Sequence, residues 1–340
     1  MEYYRLALLR KPEYMGWSQT EPSTETGPTG FTLNNGNELQ RRIDDYARLY
    51  QGAETLKSSV PPQRRDAYFQ LVEYPLKGAA LMNFKYLYAH QSMLAENTEE
   101  RSQLAESARR AHDEIIALTN QYNQINHGKW NHMMAMNPRN LPVFSMPDFH
   151  LADYHLTDTG ANQDVTATEK ANRPVAIQAS EYKKAGGKGA YHWVSIAGLG
   201  YSGAAVTLSP FDNHRFTATR PHLEYEFELE KTGVYPAAYE IQLRLLPTHA
   251  NDFDFNVGLS VNGEPRKEYG INTQGRSEAW KENVLRNAVL VTHPVTVTEG
   301  GRQKLTIDVS HTGIVLDQIG VHSRGYGDYY EIEDAATEFQ

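Results

Sequence analysis

The spacing of apolar residues changes along this 340-residue chain. From about Asn37 to Gln124 the period is helical. Leu104, Ala108, Ala111, Ile115, Leu118, Tyr122 and Ile125 alternate steps of four and three, which aligns them on one face of a long amphipathic helix. Asn97, followed by Glu99 and Glu100, suits the N-terminal cap and the positive end of that helix's dipole. Leu39, Ile43, Tyr46, Ala47 and Tyr50 form a similar stripe upstream. Between the two, Ala67 to Leu94 is apolar almost all round, which predicts a central helix. Pro75 bends or divides it, because proline lacks the N–H that continues the ladder. Three or more helices with short connections imply a bundle.

From about Val175 to Glu331 the period falls to two. Leu223 to Leu229 alternates strictly, and Tyr239 to Leu245, Phe253 to Val261, Lys304 to Val309 and Ile314 to Val321 do so less perfectly. Asn262-Gly263 and Gly300-Gly301 supply turns between them. Several short alternating strands at this spacing predict an antiparallel sandwich. The fold class is thus multidomain, α plus all-β: a helical bundle followed by a β-sandwich. Expected boundaries are a helical stub and linker at 1–36, the bundle at 37–126, an irregular connector at 127–174, the sandwich at 175–332 and a tail at 333–340. No fixed-period repeat points to a solenoid.

Composition narrows the partners. A formal net charge of -9 excludes general attraction to nucleic acid or an anionic membrane. With no cysteine, disulfide scaffolds and thiolate metal sites are ruled out. Met1 to Arg10 has an apolar stretch too short for a signal peptide or membrane span, and reads as the tail of an amphipathic helix.

Several constellations invite chemistry, and each has a plainer reading. Asp44 and Asp45 point in different directions on a helix and suit a solvated face. Asp252, Asp254 and Asn256 share a strand face opposite Phe253 and Phe255, but three oxygen ligands are too few to specify calcium. His127, His132, His150 and His155 lack the spacing of a helical metal pair, so no metal site is expected. Ser202 in Gly200-Tyr201-Ser202-Gly203 lacks the paired glycines of a nucleophile elbow, and those glycines suit a tight turn. Gly186-Gly187-Lys188-Gly189 is followed by Tyr191-His192-Trp193, which opens a strand rather than a helix, so a flexible loop is expected instead of a phosphate cradle.

Longer stretches carry a family resemblance. Arg64 to Ala80 (RRDAYFQLVEYPLKGAA) and Gly128 to Met134 (GKWNHMM) resemble the helical region after the catalytic barrel of glycoside hydrolase family 115. Trp193 to Gly203, Leu223-Glu224-Tyr225, Ala279 to Asn287 and Gly313 to Ile319 are similar to that family's C-terminal domain, in family order. The resemblance implies a carbohydrate-binding-module-like sandwich. It also implies hydrolysis of α-1,2-linked glucuronic acid or its 4-O-methyl ether from glucuronoxylan, by an inverting pair of carboxylates on a (β/α) barrel. That barrel would precede residue 1, and Met1 to Trp17 resembles only its closing helix. No catalytic residue is therefore assigned, and no cofactor is expected. Export to the periplasm or the medium is implied by the resemblance alone.

Sugar rings bind by stacking on aromatic faces while polar groups read their hydroxyls. Trp193, Tyr201 and Trp280 are the sandwich candidates, with Tyr191 beside them, although burial in the core explains each one as well. Lys129, Trp130 and His132 form a cationic, aromatic-bearing loop outside the sandwich, suited to an acidic sugar. The expected partners are glucuronoxylan or its oligosaccharides, together with a second copy of the chain or a separate barrel subunit.

Overall fold

The computed structural model describes residues 2–12, 15–16, 26–147, 174–231, 233–248, 255–272, 274–275, 277–326 and 329–330. The chain divides into two compact units, Met1–Asp158 and Thr159–Gln340.

The first unit is helical: α1 (Glu2–Leu9), α2 (Asn34–Ser59), α3 (Arg65–Tyr68), α4 (Tyr74–Leu94) and α5 (Thr98–Gly128). α4 packs against both α2 and α5, the central place its all-round apolar sequence predicts. One cluster joins Leu6, Tyr46, Ala79 and Ala80; another joins Phe69, Leu81, Ala111 and Leu118. Of the upstream stripe, Leu39, Ile43 and Tyr46 are buried, whereas Ala47 is exposed. Asn97 caps α5, its Oδ1 accepting from the Glu100 N–H at 2.7 Å. The regular part of α5 ends near Gln124, because Ile125 is extended and Asn126 and His127 are left-handed.

Pro75 does not divide the central helix. A π-helical turn, Phe69–Glu73, joins α3 to α4, and the Tyr74 N–H reaches back to the Phe69 carbonyl. This wider turn precedes the proline, whose ring would crowd the preceding turn of a regular α-helix.

Charge lies inside this unit. Arg42, 3% exposed, donates to Asn83 Oδ1 at 2.7 Å and to the carbonyls of Leu6 and Arg10 at 3.2 and 3.0 Å. It thereby satisfies carbonyls at the C-terminal end of α1 while its guanidinium sits 4.5 Å from the Phe31 ring centroid. Lys85 is fully buried and donates to the carbonyls of Val143 and Ser145 at 2.8 and 2.9 Å. Buried Glu73 takes Lys57 at 2.8 Å and Lys77 at 2.6 Å, and Lys77 also pairs with Glu54.

The second unit consists of two antiparallel sheets. Its strands are β1 (Val175–Gln178), β2 (Lys184–Gly186), β3 (His192–Ala197), β4 (Ala204–Ser209), β5 (His222–Leu229), β6 (Ala237–Leu245), β7 (Phe255–Val261), β8 (Lys267–Ile271), β9 (Val289–Val297), β10 (Gly301–Val309) and β11 (Leu316–Ser323). One sheet runs β3-β4-β11-β6-β9, with β1 also paired to β11; the other runs β2-β5-β10-β7-β8. Inward residues of both sheets, among them Leu208, Ile241, Leu243 and Ile319 from the first and Leu223, Tyr225, Val257 and Leu305 from the second, make one core.

Two features depart from expectation. A short helix, α6 (Glu278–Arg286), interrupts the β pattern, with Ser277 Oγ accepting from the Trp280 N–H at its start. The glycine stretch after β2 is an ordered hairpin turn rather than a flexible loop. Lys188 and Tyr191 exchange backbone hydrogen bonds at 3.1 Å, and Gly189 supplies the left-handed residue.

Candidate functional site

The sequence-selected residues occupy separate settings. Lys129, Trp130 and His132 follow α5 in a turn that begins with left-handed Asn126, His127 and Gly128, and His132 is itself left-handed. Lys129 and His132 are exposed and Trp130 is half-buried; the Lys129 ammonium lies 5.0 Å from the centroid of the Trp130 ring. This is a cation–π stack presented on a surface loop. Trp193, by contrast, belongs to the sandwich core at 8% exposure and donates its Nε1–H to the Gly186 carbonyl at 3.2 Å. Trp280 sits half-buried in the first turn of α6. His150, His155, Asp252 and Asp254 lie outside the described residues, and among the described residues no cluster of metal-ligating side chains is present.

Tyr201 stands beside a buried clamp. Asp317 is fully buried, and its carboxylate accepts from the Tyr201 N–H at 2.9 Å, the Ser202 N–H at 3.1 Å and the Ser202 hydroxyl at 2.7 Å. Burial pushes its carboxyl upward, against those donors and the nearby Arg244. Ser202 is therefore the anchor of a tight turn. Left-handed Gly200 lets that turn pass over the carboxylate, since a Cβ there would meet Asp317 Oδ1 at 2.2 Å. Arg244 approaches the Tyr201 ring at 5.5 Å and also donates to the Tyr330 carbonyl.

A further site emerges on the outer face of the β2-β5-β10-β7-β8 sheet. A groove of about 500 Å³ is lined there by Arg220, His222, Glu224, Arg266, Thr306 and Asp308, among others. Register builds its floor. Gly186, His222, Asp308, Gly258 and Glu268 face one another in a single row across all five strands. Arg266 lies along that row, bonded twice to Asp308 and to Glu268 Oε2 at 2.8 Å. Arg220 reaches the same two carboxylates at 3.4 and 3.3 Å. Hydrogen bonds from Arg266 and then Arg220 hold the Glu268 carboxyl below its ordinary range; the bond from Lys304 does so first for Glu224. The chemistry on offer is dense hydrogen bonding by fixed donors and acceptors, with no nucleophile and base in contact.

Sequence reasoning missed this groove, although the strict alternation of β5 does place His222 and Glu224 on the outer face. Arg220 and Asp308 are 88 residues apart, and only strand register brings them together.

Comparison with known proteins agrees with the two-unit architecture. The family model for the glycosyl hydrolase family 115 C-terminal domain matches residues 170–331. Residues 170–331 are thus similar to the C-terminal domain of family 115. Beyond it, a solved family 115 4-O-methyl-α-glucuronidase with specificity for decorated arabinogalactans is 30% identical, with a TM-score of 0.72, over 94% of this chain and 38% of its own. The likeness thus reaches well outside the family 115 domain into the helical unit, while the chain spans 38% of that enzyme's length. Two carbohydrate-binding modules show weaker likeness over 44% of the chain. One is the C-terminal module of a laminarinase from Zobellia galactanivorans (15% identity, TM-score 0.31, 100% of its chain), and the other a lichenase module from Cellvibrio mixtus (17%, 0.29, 96%). No curated protein matches the chain.

Proposed function

We propose that this chain is the accessory, non-hydrolytic part of an α-glucuronidase that removes glucuronic or 4-O-methylglucuronic acid from a branched polysaccharide. One observation carries the reading: the 30% identity to a solved 4-O-methyl-α-glucuronidase over 94% of this chain. Every strand pair among the described residues is antiparallel, and none of those residues belongs to a parallel barrel on which an inverting carboxylate pair would sit. The helical unit supports a barrel or a contact with a second copy. The Lys129–Trp130 stack, with His132 beside it, approaches the acidic sugar.

The test is direct. The purified chain is incubated with glucuronoxylan and with glucuronate-decorated arabinogalactan, and released uronic acid is measured. No release is expected from either; measurable release overturns the non-hydrolytic reading. In the complete enzyme, Trp130→Ala is expected to lower turnover of decorated polysaccharide, and unchanged kinetics remove the loop from the substrate path. Sedimentation of the chain, alone and with a barrel protein, distinguishes self-association from docking.

A further inference from the structure

The outer-face groove of the second unit has a floor set by strand register. Two of the five residues in its floor row are glycines, and both are roofed by groove side chains. A Cβ on Gly258 would lie 2.2 Å from Arg266 Nε and 2.3 Å from Asp308 Oδ2. A Cβ on Gly186 would lie 2.2 Å from the His222 ring. Bare backbone at these places lets Arg266 and His222 lie flat on the sheet, leaving open volume above them.

The donors are only partly used. A guanidinium carries five N–H groups. Arg266 commits three of them to Asp308 and Glu268. Arg220 meets Asp308 at 3.4 Å and the two oxygens of Glu268 at 3.3 and 3.1 Å, and keeps 21% of its side chain exposed. Glu224 bonds Lys304 at 2.9 Å and has Lys184 at 3.7 Å. The charged residues that line the groove are two cations, Arg220 and Arg266, and two carboxylates, Glu224 and Asp308, so a ligand there meets donors and acceptors side by side. The groove lining contains no Trp, Tyr or Phe, so a ligand there is recognised by charge and hydrogen bonds rather than by stacking.

We propose that this groove binds a uronic acid unit of a decorated polysaccharide: Arg220 takes the sugar carboxylate, and Asp308, Glu224 and Thr306 meet its ring hydroxyls. The planar, two-pronged guanidinium matches a carboxylate, and the carboxylates beside it offer acceptors that suit vicinal hydroxyls. A volume of about 500 Å³ falls in the range of small-ligand sites. This inference rests on the accessory α-glucuronidase reading and adds a place where the substrate polymer is held.

Calorimetric titration of the full chain tests it with two probes, a xylooligosaccharide bearing one glucuronic acid and the same oligosaccharide without it. Saturable binding is expected for the decorated probe only, and it should weaken as salt rises. Arg220→Gln should weaken it at least tenfold. Gly258→Val, which fills the floor and displaces Arg266, should do the same, with circular dichroism and melting temperature showing both variants folded. Two different variants keep the test open if one fails to fold. Absence of binding, equal binding of both probes, or undiminished binding by folded Arg220→Gln overturns the proposal. Uronic acid release by the complete enzyme, with and without this part, is measured in parallel. Activity that needs this part but ignores the groove variants leaves the accessory role standing and sinks the groove; activity indifferent to this part sinks the accessory role itself.

Discussion

The helical unit and the β unit handle charge in opposite ways. In the helical unit Arg42, Glu73, Lys77 and Lys85 are inside, each bound to backbone carbonyls, amides or an opposite charge. In the β unit the core is apolar, and most of the charge lies on the outer face of one sheet, arranged by register. Asp317 and Arg244 are exceptions, a buried carboxylate that serves a turn and a buried guanidinium that donates to the Tyr330 carbonyl. Buried charge costs solvation and is held by bonded partners, so it favours one packing. Surface charge on a rigid sheet costs little and leaves hydrogen-bonding capacity for a ligand. The helical unit spends its polar groups on its own architecture; the β unit displays them.

The largest effects should come from the interior of the helical unit. Arg42→Ala strands Asn83 and the Leu6 and Arg10 carbonyls and removes a cation from the Phe31 ring. A loss of roughly 3 kcal/mol or more is expected in urea unfolding of that unit. A loss below about 0.5 kcal/mol would put Arg42 in the class of an ordinary surface ion.

In the β unit, Gly200→Ala should come next. It imposes a side chain at φ +83° and drives a Cβ into the buried Asp317 carboxylate. About 2 kcal/mol is expected, read as a lower melting temperature of the sandwich. Gly258→Ala meets the ends of flexible side chains instead and should cost less stability than Gly200→Ala. Equal losses would erase the distinction between architectural and displayed polar groups.

Acid–base behaviour should separate the units as well. Burial lowers the Lys85 ammonium to about 7 from 10.5. A depressed folded value means that folding releases a proton. The contribution of Lys85 is therefore most favourable above pH 10.5, declines as pH falls toward 7, and is flat below that. The limiting slope is about 1.4 kcal/mol per pH unit. Lys85→Met should flatten the stability profile of the helical unit between pH 7 and 10, and an unchanged profile would show that Lys85 does not titrate there. On the sheet, Glu224 and Glu268 are lowered from 4.5, so their ion pairs are fully present above that value and are lost as pH falls through the lowered folded values. Glu268 is exposed and Glu224 half-buried on an outer sheet face, where solvent screens their ion pairs, and little change in stability should accompany their loss.

The smallest effect tests a plain cap. Asn97→Ala removes the acceptor for the Glu100 N–H and should cost about 1 kcal/mol, measured by thermal unfolding.

Periodicity carried much of the fold. The α5 stripe, the Asn97 cap, the central place of α4 and the alternation of β5 all follow from side chains that meet the core at a fixed spacing. The π turn before Pro75 did not, since nothing local distinguishes it from a bend. α6 was overlooked because its nine residues sit among strands, although Ser277 followed by Glu278 is a start signal. Of the sugar-stacking candidates, Trp193 has its ring in the core, a placement that aromatic identity alone cannot reveal. The groove residues were legible only as outward positions on separate strands.

By itself the sequence determined the order of a helical and a β unit, the faces of their elements and, through long matching stretches, the resemblance to family 115. Those properties depend on neighbours three, four or two residues apart. Tertiary structure alone decided which charges are interior and which are displayed. Arg42 lies 41 residues from Asn83, and Asp308 lies 42 from Arg266. Helix packing and strand register, rather than spacing along the chain, make them partners, and the same register lays Arg266 over Gly258 and His222 over Gly186.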